Sequence, residues 1–211
     1  MSFIVKNTTL VGPIDLIAPH SCRGCGKLGS VLCECCKNNI LCCKIDNKPR
    51  NLYAVGNRED LLSKLIYDYK YDSTRAIGKA FAEMLAERLP DMKDAVLVPL
   101  PTATNHIRER GFDHTWYFVK RLARLKGIRA ERILVREKNT VQVGADKKTR
   151  LKQAEEAFKI NPKAKIEPSL TYILVDDVWT TGASMRAAAR KLRDAGAKKV
   201  LMAVVAVSEM D

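Results

Sequence analysis

The sequence lacks long hydrophobic runs. The longest late run, residues 200–207, is about one strand long, whereas a membrane-spanning helix needs roughly 20 apolar residues. The apolar run near the start is broken by Gly12, Pro13 and Asp15, which does not suit a secretory signal. No membrane span or signal peptide is therefore visible, and we expect a cytoplasmic protein, either free or held at the inner face of the membrane through partners.

Acidic and aromatic residues are both scarce. Asp and Glu number 24 against 37 Lys and Arg, which gives a formal net charge of +13, and aromatic residues make up 6% of the chain. A basic surplus of this size indicates an anionic partner such as a phosphate compound or nucleic acid. Because few aromatics interleave the basic residues, we expect nucleic-acid binding to be largely electrostatic. The candidate contacts are Lys147, Lys148 and Arg150.

The cysteines suggest a metal site. Disulfides are rare in a reducing cytoplasm, so seven cysteines are better explained as metal ligands. Two C-x2-C pairs, Cys22/Cys25 and Cys33/Cys36, can complete a closed tetrahedral Zn²⁺ site with a structural role.

The ligand set stays open at three further cysteines. Cys35 competes with Cys33 or Cys36, and Cys42-Cys43 can supply a ligand from the far side. The alternative for these extra cysteines is a buried or spare thiol.

The rest of the chain alternates helical and strand patterns. Apolar residues recur at helical spacing in residues 61–69, 77–89, 115–126 and 185–195, and short apolar runs occupy residues 95–98, 133–135, 172–175 and 201–207. This alternation predicts an α/β fold with an open, mostly parallel sheet and ligands at the carboxyl ends of its strands. The linker-like residues 47–51 predict a boundary between an N-terminal segment, 1–50, and a larger domain, 51–211. Residues 138–152 are either a lid over a ligand or a solvated surface.

Residues 172–184 carry the strongest functional signal. Asp176 and Asp177 are predicted to end a buried strand, and ionised carboxylates there can accept hydrogen bonds from ribose hydroxyls, directly or with Mg²⁺ nearby. A small loop then opens a helix, where hydroxyls and backbone N–H groups can hold a phosphate. The loop residues are Thr180, Thr181, Gly182, Ala183 and Ser184.

Basic residues elsewhere are candidates for a diphosphate. Arg108 and Arg110 lie in a predicted basic loop and have the fork geometry that suits phosphate oxygens. Lys70 is either a diphosphate contact or a solvated helix end. His106 and His114 are interpreted as loop histidines rather than catalysts.

These motifs together resemble the ComF (ComFC-like) proteins, which pair a cysteine knuckle with a type I phosphoribosyltransferase domain. Asp113-His114 stand where that family usually has Asn-Gln. The matching stretches are Lys70-Tyr71, residues 98–101, Arg108-x-Arg110-Gly111-Phe112, residues 141–144 with Arg150, Ala157-Phe158 and the signature at Val175-Asp176-Asp177.

The resemblance implies both a ligand and a cellular process. In type I phosphoribosyltransferases the two acids hold the ribose hydroxyls of 5-phosphoribosyl diphosphate (PRPP) and the following loop holds its 5′-phosphate. ComF proteins are associated with natural competence, in which single-stranded DNA enters the cytoplasm, alongside a helicase-like partner. Two hypotheses follow: Mg²⁺-dependent transfer of the phosphoribosyl group to an acceptor, including one of nucleotide salvage or biosynthesis, and a PRPP-binding module that handles DNA.

Overall fold

The computed structural model describes residues 20–45, 48–72, 74–136 and 157–208. The nucleic-acid candidates Lys147, Lys148 and Arg150, like the predicted lid at 138–152, lie outside the described residues.

Helices and strands alternate along most of the described chain. The helices are α1 (Glu34–Cys42), α2 (Asp60–Tyr71), α3 (Arg75–Arg88), α4 (Thr104–Arg110), α5 (His114–Lys126) and α6 (Ala183–Asp194). The strands are β1 (Leu52–Asn57), β2 (Ala95–Pro99), β3 (Arg129–Ala130), β4 (Leu134–Arg136), β5 (Phe158–Ile160), β6 (Thr171–Trp179) and β7 (Lys199–Val207).

Five strands form a parallel sheet in the order β1-β7-β6-β2-β3. Strands β4 and β5 pair antiparallel as a separate ribbon. Strand β6 is central and pairs with β2 on one side and β7 on the other. The predicted α/β fold with an open, mostly parallel sheet is confirmed.

Two apolar layers cover the sheet, and alternate residues of each strand enter one layer or the other. On β6, Ile173 and Val175 pack with α2, α3, α5 and the cysteine segment, whereas Tyr172 and Leu174 pack with α6 and the β4–β5 ribbon. The side chains that follow in β6 inherit this alternation, which directs Asp177 towards the layer that contains α2 and α5.

The N-terminal cysteine segment shares the first of these layers. Cys22, Leu32 and Ile40 are buried in the same core as α2 and α3. The Arg23 side chain also lies 2.9 Å from the buried Asp68 carboxylate of α2. The boundary at residue 50 stays a prediction, but the segment before it is packed onto the sheet-bearing part of the chain.

Two local expectations are wrong. Strand β6 does not end at Val175 but runs through both aspartates to Trp179, because β7 continues to pair with it as far as Val207. The predicted basic loop around Arg108 and Arg110 is instead the short helix α4.

None of the helices among the described residues combines the length and the apolar character that crossing a membrane requires.

Candidate ligand site and candidate metal centre

The candidate ligand site is built around Asp177 near the carboxyl end of β6. This side chain is only 6% exposed, and two hydrogen-bond donors from different helices contact it. Lys70 Nζ of α2 lies 2.9 Å from Asp177 Oδ1 and 2.8 Å from Oδ2. His114 Nε2, at the start of α5, lies 2.8 Å from the same Oδ2. The Asp177 carboxylate therefore joins β6, α2 and α5 at one point.

The hydrogen-bond partners of His114 indicate which ring nitrogen carries its proton. Arg110 Nη1 lies 2.9 Å from His114 Nδ1, and a guanidinium group can only donate hydrogen bonds. Nδ1 therefore accepts, and the ring proton sits on Nε2, from which it is donated to Asp177. The Tyr69 hydroxyl donates to the His114 carbonyl oxygen at 2.7 Å and fixes the backbone of this residue. His114 is consequently a buried site component rather than a loop histidine.

The two adjacent carboxylates differ in environment. Burial by itself would raise the pKa of Asp177, but the His114 hydrogen bond and the Lys70 charge outweigh burial and lower this pKa to about 2. Asp176 is half-buried, and its Oδ1 accepts the Asp177 backbone N–H at 2.9 Å. Burial and the neighbouring Asp177 charge raise the pKa of Asp176 to about 8. Asp177 is therefore the ionised, internally bonded member of the pair.

The loop after β6 is shaped by Gly182 and Trp179. Gly182 precedes α6 with a φ of 72°, and a Cβ atom there would lie 2.1 Å from the buried Trp179 ring. The Arg186 guanidinium lies 5.5 Å from the centre of the same ring and donates to the Thr181 carbonyl oxygen. The first N–H groups of α6 have no partner within the helix, so this end suits an anion. Thr180, Thr181 and Ser184 are exposed around it.

The basic candidates separate into two groups. Lys70 and Arg110 are brought to Asp177, directly in the first case and through His114 in the second. Arg108 lies on the same helix as Arg110 but is exposed.

Sequence reasoning missed His114 and Arg186. The departure from the family pattern at Asp113-His114 was the only signal that pointed to His114.

A second cluster contains the four predicted zinc ligands. The Sγ atoms of Cys22, Cys25, Cys33 and Cys36 all lie within 4.8 Å of one another. In a tetrahedral Zn²⁺ site with Zn–S distances of about 2.3 Å, the sulfur atoms are about 3.8 Å apart, so the arrangement fits the ion. Cys35, Cys42 and Cys43 are exposed and lie outside this group.

The surroundings of the cluster act in opposite directions on two of its thiols. Burial would raise the pKa of Cys22, but backbone N–H groups, among them that of Cys33 at 3.4 Å, lower this pKa to about 6. Hydrogen bonding with Cys33, together with burial, raises the pKa of Cys36 to about 12 in the metal-free cluster. A Cβ atom on Gly24 would lie 2.8 Å from Cys36 Sγ, so the backbone passes close to the sulfur atoms. The cluster can hold a metal ion such as zinc.

Solved structures with similar folds include a PRPP amidotransferase and phosphoribosyltransferases. One is the glutamine PRPP amidotransferase from B. subtilis, 19% identical, with a TM-score of 0.46 over 65% of this chain and 30% of that one. This chain thus spans less than a third of the amidotransferase. Another is the adenine phosphoribosyltransferase from Leishmania tarentolae, 14% identical, with a TM-score of 0.47 over 79% of this chain and 95% of that one.

Curated relatives are similar over most of the chain. The competence protein ComFC of Streptococcus pneumoniae is 26% identical over 88% of this chain and 80% of its own length. The competence protein ComFC of Bacillus subtilis is 28% identical over 85% and 74%, and the competence protein F of Haemophilus influenzae is 27% identical over 83% and 81%. The resemblance to ComF proteins is confirmed by these relatives. No family model matches the chain.

Proposed function

We propose that this protein binds PRPP together with Mg²⁺ and acts in natural competence, where single-stranded DNA is handled in the cytoplasm. The observation that carries the proposal of PRPP binding is the order of residues where β6 ends and α6 begins: Asp176 and Asp177 are followed by the Gly182 loop. Acceptors for ribose hydroxyls thus precede donors for a phosphate within a few residues. Lys70 and Arg110 add positive charge beside the acids.

The two acids would divide the work in the bound state. Both oxygens of Asp177 already accept hydrogen bonds from within the protein, so its role is to position Lys70 and His114. Asp176 is half-buried, and its Oδ2 is the carboxylate oxygen left to meet a ribose hydroxyl. Charge on a nearby Mg²⁺, which carboxylates bind readily, would favour ionised Asp176 against the burial that disfavours it.

Magnesium bound at this site would help to neutralise the diphosphate group of PRPP. The other contacts to PRPP would come from residues of the chain. The loop at residues 180–184 would hold the 5′-phosphate through its hydroxyls and the N–H groups of α6, and Arg186 stiffens that loop through its bond to Thr181. Lys70 and Arg110 would face the diphosphate end, with the exposed Arg108 as a further contact. We assign the four-cysteine cluster to a structural Zn²⁺.

The competence assignment is supported by the relatives, which carry competence in their names and align with most of the chain. We propose single-stranded DNA and a helicase-like protein as its partners, as the resemblance to ComF proteins implies. Transfer of the phosphoribosyl group to an acceptor is the second candidate, favoured by the positive charge of Lys70 and Arg110 in the network around Asp177, which could stabilise a departing diphosphate.

Calorimetric titration with PRPP, with and without Mg²⁺, tests the pocket. We expect saturable heat that depends on Mg²⁺, and we expect Asp176→Asn to abolish it while the circular dichroism spectrum stays native. Asp194→Asn, on the exposed side of α6, makes the same substitution away from the site and should bind as the wild type does. Absence of heat in folded, zinc-loaded protein, or an unchanged affinity in folded Asp176→Asn, would contradict the proposal.

A further inference from the structure

Two exposed tyrosines stack on the outer face of α2. Tyr67 and Tyr71 are 60% and 63% exposed, and their ring centres lie 4.8 Å apart with the planes tilted by 40°. They differ from Tyr69 between them, which is fully buried and uses its hydroxyl to hold His114. Large exposed aromatic surface is costly in water, and a stacked pair of this kind offers flat apolar faces to a ligand.

Positive charge flanks the tyrosine pair at both ends. Lys64 precedes Tyr67 by one helical turn and is exposed on the same face; its ammonium donates one hydrogen bond to the Arg23 carbonyl oxygen at 3.4 Å and has two further N–H donors. At the other end the Arg110 guanidinium lies 5.7 Å from the centre of the Tyr71 ring. The order along the surface is therefore cation, aromatic, aromatic, cation.

This surface adjoins the candidate ligand site and shares Arg110 with it. Arg110 contacts both Tyr71 and His114, and His114 donates to Asp177. Lys70, next to Tyr71 in the chain, turns inward to Asp177, whereas the two tyrosine rings remain on the outside. A polymer lying across the tyrosines would run past the edge of the PRPP pocket.

We infer that Tyr67 and Tyr71 form a stacking platform for the bases of a single-stranded nucleic acid, with Lys64 and Arg110 as contacts to its phosphates. Every base has a π face, so stacking on aromatic rings binds single strands with little sequence preference. Cations beside the rings match the negative backbone that accompanies the bases. The inference rests on the nucleic-acid partner of the proposed function and assigns it a contact surface among the described residues. It also adds a stacking contribution to the electrostatic one that the sequence predicts.

The test measures fluorescence anisotropy of a labelled oligothymidylate of about 12 nucleotides, a length that fits common single-strand sites. Tyr67→Ala and Tyr71→Ala should each weaken binding by about 5- to 100-fold, the loss typical of one stacked base. Tyr67→Phe and Tyr71→Phe keep the ring and should bind as the wild type does. Lys64→Gln should reduce the dependence of affinity on salt concentration by about one phosphate contact, whereas the alanine variants should leave that dependence unchanged.

An abasic sugar–phosphate oligomer of the same length separates stacking from charge. We expect it to bind wild-type protein as weakly as the normal oligonucleotide binds the Tyr67→Ala, Tyr71→Ala double variant. Equal affinity of wild type and double variant for oligothymidylate would overturn the inference, and so would binding of the abasic oligomer as tightly as the normal one. A wild-type protein that binds no oligonucleotide would overturn it as well.

Titration of Tyr67→Ala with PRPP keeps the two proposals apart. Within the described part of the chain Tyr67 packs against Tyr71, whereas Lys70 pairs with Asp177, so the heat of PRPP binding to Tyr67→Ala should match that of the wild type. If oligonucleotide binding depends on the tyrosines but PRPP gives no heat of binding, the PRPP pocket is refuted and the stacking platform is supported. If PRPP gives heat of binding but oligonucleotide binding does not depend on the tyrosines, the platform is refuted and the pocket is supported.

Discussion

Lys70 and Asp177 form an ion pair that joins helix α2 to the central strand, with Nζ 2.8 Å from Oδ2 and 2.9 Å from Oδ1. The Asp177 side chain is 6% exposed and the Lys70 side chain 20% exposed, so water screens this pair only weakly. His114 binds the same carboxylate and makes the pair part of a three-residue network.

Replacing one acid should therefore cost more than replacing its neighbour. We expect Asp177→Asn to lower the free energy of unfolding by about 3 kcal/mol, because it leaves the Lys70 ammonium without its counter-charge in a largely buried position. Asp176→Asn should change the free energy by about 1 kcal/mol or less near neutral pH, since the raised pKa keeps Asp176 largely protonated there and the asparagine amide oxygen can still accept the Asp177 N–H. Urea unfolding checks both, with Asp194→Asn as the reference. Equal losses in the two variants would contradict the division of roles.

Stability should depend on pH through Asp176. The folded-state pKa of about 8 lies above the usual value of about 3.9, so the native state holds a proton that the unfolded chain has already released. The contribution of Asp176 is complete below about pH 4 and is lost as the pH rises through about 8. In zinc-loaded protein without added Mg²⁺, the wild type should lose about 1–3 kcal/mol between about pH 5 and pH 8 relative to Asp176→Asn.

Asp177 should act in the opposite direction and in a different range. Its folded-state pKa is about 2, so its contribution is present above the unfolded value and disappears as the pH falls towards 2. The titration of Asp177 therefore does not affect the comparison of the wild type with Asp176→Asn between about pH 5 and pH 8. If urea unfolding shows that the free energy of unfolding changes with pH equally in the wild type and in Asp176→Asn between about pH 5 and about pH 8, Asp176 is not protonated in the ligand-free protein.

Gly182 should be intolerant of a side chain for two separable reasons. Its φ of 72° costs any other residue about 1–2 kcal/mol, and a Cβ atom would also meet the Trp179 ring at 2.1 Å. Gly127 has a similar φ of 64° with nothing within 4 Å of the added atom, so Gly127→Ala measures the backbone cost alone. We expect Gly182→Ala to be clearly the more destabilising of the two and to weaken PRPP binding. Thermal unfolding and calorimetry provide the comparison.

The cysteine cluster should retain its metal only when its geometry is intact. Purified wild-type protein should contain one zinc ion per chain, whereas Cys22→Ser with Cys25→Ser should lose both metal and stability. Gly24→Ala keeps all four thiols but places a methyl group 2.8 Å from Cys36 Sγ, so it should also lower metal retention. Cys35→Ser changes an exposed thiol and should leave zinc content unaltered. Elemental analysis checks each, and retained zinc in the double serine variant would refute the site.

Much of the fold was predictable because its signals are local. Apolar periodicity predicted α2, α3, α5 and α6, and short apolar runs predicted β2, β6 and β7. Helix α4 gave no such signal, since none of its described residues is buried. The length of β6 depends on pairing with β7, which no local pattern in residues 176–179 reveals.

The candidate site was predictable only in part. The two acids, the Gly182 loop and the four cysteines follow one another closely in the sequence and are visible as motifs. The role of His114 depends on a carboxylate 63 residues away, and the pairing of Lys70 with Asp177 spans 107 residues. The exposed tyrosine pair shares its helix with the buried Tyr69, so composition alone could not separate platform from core.

The contact between Arg23 and Asp68 ties the metal cluster to the ligand site. Arg23 lies between Cys22 and Cys25, Asp68 lies on α2, and the Lys64 ammonium of α2 also donates to the Arg23 carbonyl oxygen. The same helix carries Lys70 and both exposed tyrosines. Loss of the metal would release one support of that helix, so metal occupancy and ligand affinity are expected to be thermodynamically linked and to strengthen each other reciprocally.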